Sequence, residues 1–378
     1  MSRFKELISL AGQTFLIFLI TFVLAEITFR VYQHFNPTFI FYDESYNRFR
    51  GKPGAPDYDF QLNSKGFKDI EFKPQKEPNT YRIVALGDSF AFGVVPYQYN
   101  YLTLLEQHLN SSGLRTEVIN MGIPSTGPKH YLALFANEGL QLQPDMVLVS
   151  FFIGNDFPNT KGARRVKVHE YSAVVAFIKY IIDLNRKYEG KVIHDRTHYD
   201  DTAPKFTDEA YLQIVKERSW MYRKRAPFKK AFADGVGYLV RIKELCDWSK
   251  IALQVVIIPD EVQVNLALQT KVLKALNVSS TDLDFTLPNK FLHEQLQAYR
   301  IDHLDLLDSF LSTTLQMSLY KPNDSHWNIA GNKLAADLLA KYVSNHVNSE
   351  PTQRRAKDEG TQPAASGKPG PDSDVSPH

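Results

Sequence analysis

The chain has 378 residues, 43% apolar and 23% charged, the balance of a folded protein with one large domain or two small ones. A net charge of +2 gives no whole-chain pull toward nucleic acid. A single cysteine, Cys246, excludes an internal disulfide and any cysteine-rich zinc site.

Leu7 to Ala25 carry no charge over nineteen positions. As a helix this run spans about 28 Å, close to the hydrocarbon thickness of a bilayer. Arg3 and Lys5 precede it, which predicts a cytoplasmic N-terminus and an exported body, although Glu6 and Arg30 weaken the bias. Residues 1–30 therefore read as a transmembrane anchor. A cleaved signal peptide, with Val23-Leu24-Ala25 as its small-residue site, is the competing reading, and the length of the run favours retention. Residues 31–80 are a run-in segment, and 349–378, with five prolines and no aromatic residue, read as a disordered tail.

Residues 81–348 alternate strand and helix patterns. Strands are expected at 81–86, 116–120, 146–152, 253–258 and 303–307, and helices at 101–109, 130–140, 236–248 and 329–343. The run MVLVSFF (146–152) is apolar throughout, as a parallel strand covered on both faces requires. Such alternation predicts a parallel sheet between two helical layers, an α/β/α domain. Phe157 to Lys230 interrupts it with 17 Lys/Arg against 9 Asp/Glu, a net +8. That stretch reads either as a solvated helical insertion, or as a lid or face for anionic headgroups or an acidic polymer beside a membrane.

Ligands of open α/β sheets bind outside the carboxyl ends of the strands. The first strand ends in Gly87-Asp88-Ser89, the second in Asn120-Met121-Gly122, the third in Gly154-Asn155-Asp156, and the last leads to Asn323-Asp324-Ser325-His326-Trp327. Each motif alone is a common turn or cap. In this order and spacing they resemble the SGNH (GDSL) hydrolases, named for their Ser, Gly, Asn and His. The resemblance spans about 81–345 and implies a flavodoxin-like sheet with the basic insertion at 157–230.

A serine hydroxyl is a poor nucleophile at neutral pH unless a base takes its proton during attack. His326 is the candidate base for Ser89, and a carboxylate should fix its tautomer and stabilise its protonated form. The resemblance implies oxyanion donors at the backbone N–H of Ser89 and Gly122 and the side-chain amide of Asn155. The usual Asp-x-x-His pattern would put the acid at 323, where this chain has Asn323. The carboxylate is two before the histidine, at Asp324, as in relatives of polysaccharide O-acetyltransferases such as the alginate-modifying proteins. Asp324 is thus the expected orienting acid, with a Ser–His dyad as the fallback. Asp88 reads as part of the turn that presents Ser89.

The implied function is a serine esterase acting on an acyl ester, O-acetyl or short-chain, of a small-molecule, lipid or carbohydrate substrate in the cell envelope. An O-acyltransferase passes through the same acyl-serine, and a non-catalytic polymer-binding module is the third reading. The expected location is a bacterial periplasm or cell surface, with the membrane as partner through the N-terminal helix, no nucleic acid and no cofactor. An α/β-hydrolase is disfavoured because residue 91 is Ala where Gly-x-Ser-x-Gly needs glycine. A metal at His194, Asp195 and His198 is disfavoured because no Glu follows the first histidine. His130 and His303 read as surface or packing residues.

Overall fold

The structure is a computed structural model and describes residues 2–36, 44–157, 171–184, 198–224 and 228–349. Helix α1 (Ser2–Phe35) contains the uncharged run and is longer than predicted. Its stretch Ile8–Phe35 is apolar and long enough to cross a membrane, with mean hydropathy 2.2. A short 3₁₀ turn (Glu44–Arg48) and the hairpin β1 (Pro56–Asp57) and β2 (Phe60–Gln61) form most of the regular structure of the run-in. Then come β3 (Tyr81–Leu86), α2 (Ser89–Phe92), α3 (Tyr101–Ser111), β4 (Thr116–Asn120), α4 (Pro128–Asn137) and β5 (Met146–Phe152). Helices α5 (Ala173–Leu184), α6 (Asp208–Arg218) and α7 (Phe228–Ser249) precede β6 (Ala252–Ile258). The chain closes with α8 (Glu261–Val264), α9 (Leu266–Leu276), α10 (Leu287–Ala298), β7 (Asp302–Asp305), α11 (Leu307–Thr314) and α12 (Ile329–Ser349).

Five strands form one parallel sheet in the order β4-β3-β5-β6-β7. Counted within the sheet this is 2-1-3-4-5, the flavodoxin-like order, with its topological switch between β3 and β5. Every residue of β5 is buried, so the apolar run has cover on both faces. Val84, Leu86, Val147, Val149, Phe151, Val255 and Ile257 face one core with residues of α4, α7 and α10. On the other face, Ser150 bonds the Tyr101 hydroxyl of α3, whose backbone N–H donates to Asn332 of α12. The fold is thus an α/β/α sandwich, and the predicted strand order of events along the chain holds.

The differences are at element ends. Helix α4 starts at Pro128, whose fixed φ suits a first helical position, and stops before Gly139, where a 3₁₀ turn follows. β7 ends at Asp305 rather than 307 because the Asp305 carboxylate accepts the Leu307 N–H and starts α11. Helix α7 begins eight residues earlier than the apolar spacing indicates. Cys246 is buried on α7 and burial pushes its thiol pKa up, while its neighbour Trp248 is about half exposed. Of the basic insertion, α5 and α6 are helical. His194 and Asp195 lie outside the described residues, as does the tail after Ser349. Residues 341–378 cluster as a separate unit, whose described part is the end of α12.

The run-in is more than a linker. Lys68, fully buried, pairs with Asp57 at 2.5 Å and donates to the carbonyls of Gly93 and Val95. Those carbonyls belong to the loop that follows α2, so the run-in is latched beneath the turn that carries Ser89.

Candidate active site

At the carboxyl end of β3 the chain turns sharply into α2. Asp88 caps that short helix, its Oδ1 accepting the Phe90 N–H at 2.9 Å. Gly87 has no room for a side chain, since a Cβ there would lie 2.7 Å from the Ala91 Cβ and 2.9 Å from the Ser150 Cβ. Ser89 is therefore the first residue of α2, where a backbone N–H has no intrahelical acceptor.

His326 arrives from the far end of the domain on a loop closed by an antiparallel bridge between Tyr320 and Trp327. Lys321 N–H donates to the His326 carbonyl, and Asn328 N–H to the Leu319 carbonyl. Trp327 is buried against Phe90, Tyr101 and Phe310, with ring centroids 5.0, 5.6 and 5.0 Å away. This packing fixes the neighbouring imidazole: His326 Nε2 is 2.7 Å from Ser89 Oγ, and Nδ1 is 2.5 Å from Asp324 Oδ1. Asn323 points away, donating to the Phe206 carbonyl and to Asp208 Oδ1. Its φ of 47° is the left-handed conformation that asparagine tolerates. Of the two positions weighed from the sequence, only 324 reaches the histidine.

Asp324 is nearly fully buried, with Lys205 Nζ 3.7 Å from its second oxygen. Burial opposes its charge, but the hydrogen bond from His326 and the charges of His326 and Lys205 outweigh that, and its pKa lies below the ordinary value. Asp88 is fully buried and goes the other way: desolvation raises its pKa against hydrogen bonds from Phe90 and Asn155.

The three expected oxyanion donors stand differently. Asn155 is exposed, and its Nδ2 donates to Asp88 Oδ2 at 2.9 Å, which aims the amide and leaves it a second N–H. The Gly122 N–H donates to Asn120 Oδ1 at 2.9 Å within its own turn. Gly122 is also sterically required, because a Cβ would come within 2.4 Å of the Phe92 nitrogen on α2. Asn120 in turn donates to the Ala91 carbonyl, and its backbone N–H goes to Asp69 Oδ2 of the run-in. Ser89, Asn155, Asp324 and His326 thus converge, and Gly122 packs against the same short helix.

Sequence reasoning missed the residues that hold these groups. Asp88 does not only shape the turn; it links the serine turn to Asn155. Arg218 donates to Ser325 Oγ at 2.8 Å and lies 3.7 Å from the buried Asp260. Lys205 and Arg218 sit at unremarkable places in the basic stretch, and only the tertiary fold brings them to the histidine loop. Among the described residues no group of three or more His, Cys, Asp or Glu has metal-binding geometry. His130 rests edge-on against Phe49, and His303 pairs with His293.

Fold and site together define a flavodoxin-like α/β/α domain with a Ser–His–Asp chain across the carboxyl edge of its sheet. The family model of the SGNH hydrolase-like domain of acetyltransferase AlgX matches residues 216–370. That span contains Asp324 and His326 but begins after Ser89, Gly122 and Asn155. No curated protein matches the chain. Solved structures similar to it include the acetyl xylan esterase AlAXEase, at 14% identity over 69% of this chain and 99% of that one, TM-score 0.40. A two-domain esterase (CEX) active on acetylated mannans is similar at 13% identity over 72% of this chain and 51% of its own, TM-score 0.38. A lipase/acylhydrolase from Enterococcus faecalis is similar at 14% identity, covering 70% and 96%, TM-score 0.37.

Proposed function

We propose that this chain is a serine esterase of the SGNH type that releases an acyl group, O-acetyl or short-chain, from a carbohydrate of the cell envelope. The observation that carries the reading is the continuous chain Ser89 Oγ, His326 Nε2, His326 Nδ1 and Asp324 Oδ1, at 2.7 and 2.5 Å. In this mechanism His326 takes the Ser89 proton as Oγ attacks the ester carbonyl. The negative charge on the carbonyl oxygen is met by the Ser89 backbone N–H and the free N–H of the Asn155 amide, with Gly122 joining if its N–H turns from Asn120. Losing one such donor typically costs about 10²–10³ in rate. His326 then gives the proton to the departing alkoxide, leaving acyl-serine. Asp324 keeps Nδ1 protonated throughout and stabilises the imidazolium.

The second half-reaction separates two activities. With water as acceptor the product is free acid; with a sugar hydroxyl it is a new ester, and the enzyme is an O-acyltransferase. The match of residues 216–370 to an acetyltransferase-type family model supports keeping that second reading. On either reading α1 is a retained anchor and the domain of residues 81–348 works outside the cytoplasm, in a periplasm or at a cell surface.

Ser89→Ala in the full chain should lower turnover of an aryl acetate by about 10⁴-fold or more. A variant as fast as the wild type would overturn the assignment of the nucleophile. Repeating the assay with an oligosaccharide acceptor, and following both acetate and acetylated sugar, decides between hydrolysis and transfer.

A further inference from the structure

Ser325 stands between Asp324 and His326, and its hydroxyl bonds neither. Among the described residues its one hydrogen-bond partner is Arg218, whose Nη1 donates to Oγ at 2.8 Å. Ser325 is 7% exposed, so a hydroxyl there needs such a partner. The backbone bonds on either side of it are local. The Asp324 N–H goes to the Lys321 carbonyl, and the His326 N–H to Asp324 Oδ1. They shape the loop without tying it to the sheet.

Arg218 supplies that tie. It is the last residue of α6, where a cation suits the helix terminus. The helix is seated by the buried Val215 and by Tyr211, whose hydroxyl donates to Glu261 Oε2 just after β6. The guanidinium lies over the ring of Phe152, the last residue of β5, with 5.6 Å from Cζ to the ring centroid. Its Nη1 is 3.7 Å from Oδ1 of Asp260, two residues beyond the end of β6. Desolvation raises the pKa of Asp260 and the Arg218 charge opposes that, so the two groups hold each other in place. One side chain thus joins the ends of two central strands to the residue between the acid and the base. A charge-assisted hydrogen bond from a planar guanidinium fixes direction as well as distance.

We propose that Arg218 is a positioning residue: through Ser325 it registers Asp324 and His326 against the sheet that carries Ser89. The packing of Trp327 holds the imidazole from one side, and Arg218 holds the backbone from the other. The inference rests on the esterase reading, since positioning matters here only if His326 takes the Ser89 proton.

The test compares Ser325→Ala, Arg218→Met and the double variant in the full chain, with Ser89→Ala as control. The readouts are kcat and KM for an aryl acetate and the rate at which a fluorophosphonate labels Ser89. A misplaced catalytic group is costly, so Ser325→Ala should lower kcat about 10-fold or more with KM within about twofold. Fluorophosphonate labelling should slow by a similar factor while the melting temperature stays nearly unchanged. Arg218→Met should lose at least as much, and the double variant should be no slower than Arg218→Met alone, because both changes remove the same bond. Should Arg218→Met fail to fold, Ser325→Ala decides by itself, because it leaves Arg218 and Asp260 paired. Wild-type kcat in Ser325→Ala, with Ser89→Ala inactive, would overturn the positioning role and leave the esterase standing. Losses that multiply in the double variant would overturn it too, and so would a raised KM at unchanged kcat, which would make Arg218 a substrate-binding group. Full activity in Ser89→Ala would overturn the esterase reading, and the positioning role with it.

Discussion

The two ends of the central sheet both hold buried charge and handle it in opposite ways. At the amino end, Arg82 is almost wholly buried and its guanidinium makes four hydrogen bonds, to Glu117 and to the carbonyls of Pro74, Gln75 and Leu142. Its backbone N–H goes to Asp145, which Lys76 also pairs at 2.6 Å. At the carboxyl end, Asp88 follows β3, Asp156 follows β5, and Asp260 and Glu261 follow β6. Burial drives the pKa of each of them up, Glu261 to about 7. The first end pairs its cations with carboxylates and carbonyls and reads as a fastening. The second keeps carboxyls that the fold would rather hold neutral, the condition expected around chemistry.

The sharpest way to break this contrast is at the histidine loop. Asp324→Asn should cut ester turnover by about 10²–10⁴-fold with little change in melting temperature, since the wrong tautomer of His326 would be held. Asn323→Asp should leave the rate near wild type, because that side chain faces Asp208. Parallel kinetics on the two variants decide which position carries the acid.

At the opposite end the reverse is expected. Arg82→Met leaves three carbonyls and Glu117 without their donor and should cost about 3–5 kcal/mol of unfolding free energy, read by chemical denaturation. The rate per folded molecule should not move. A large loss of kcat with unchanged stability would erase the distinction between the two ends.

The smallest effect concerns Asp69 of the run-in, whose pKa burial raises to about 7 although Asn120, Tyr97 and Ile70 donate to it. The folded chain thus holds this proton more tightly than the unfolded chain does. Stability is lost as pH rises from about 4, where the unfolded carboxyl ionises, to about 7, and is level above that. Asp69→Asn removes this penalty, so its melting temperature should equal that of the wild type near pH 4 and exceed it by ~4 °C near pH 7.5.

Much of this was legible in the residues. Runs such as YRIVAL and MVLVSFF have one structural meaning when bounded by Gly and Asp, and Ser89, Asn155 and His326 stand where such strands deliver ligand-facing groups. Asp324 was legible as the carboxylate beside His326, since position 323 is Asn; how it reaches the ring past the left-handed turn at Asn323 was not. Lys68, Arg82 and Arg218 were not legible at all. A buried Lys or Arg looks like a surface one in a sequence, because part of what buries it comes from far along the chain, as Gly93 does for Lys68 at a separation of 25. The pairing of Glu26 with α5 was hidden for the same reason, at a separation of 147 residues to Ala173.

The latch formed by Lys68 sets which pieces of this protein are interchangeable. A leader exchanged for another as far as residue 43 removes the partner of α5 but keeps Lys68, Asp57 and Asp69 against the serine turn. An exchange as far as residue 80 would take all three, leaving the carbonyls of Gly93 and Val95 without their cation. The inheritable unit of this protein is accordingly larger than its sheet, and begins in the stretch that sequence patterns treat as a connector.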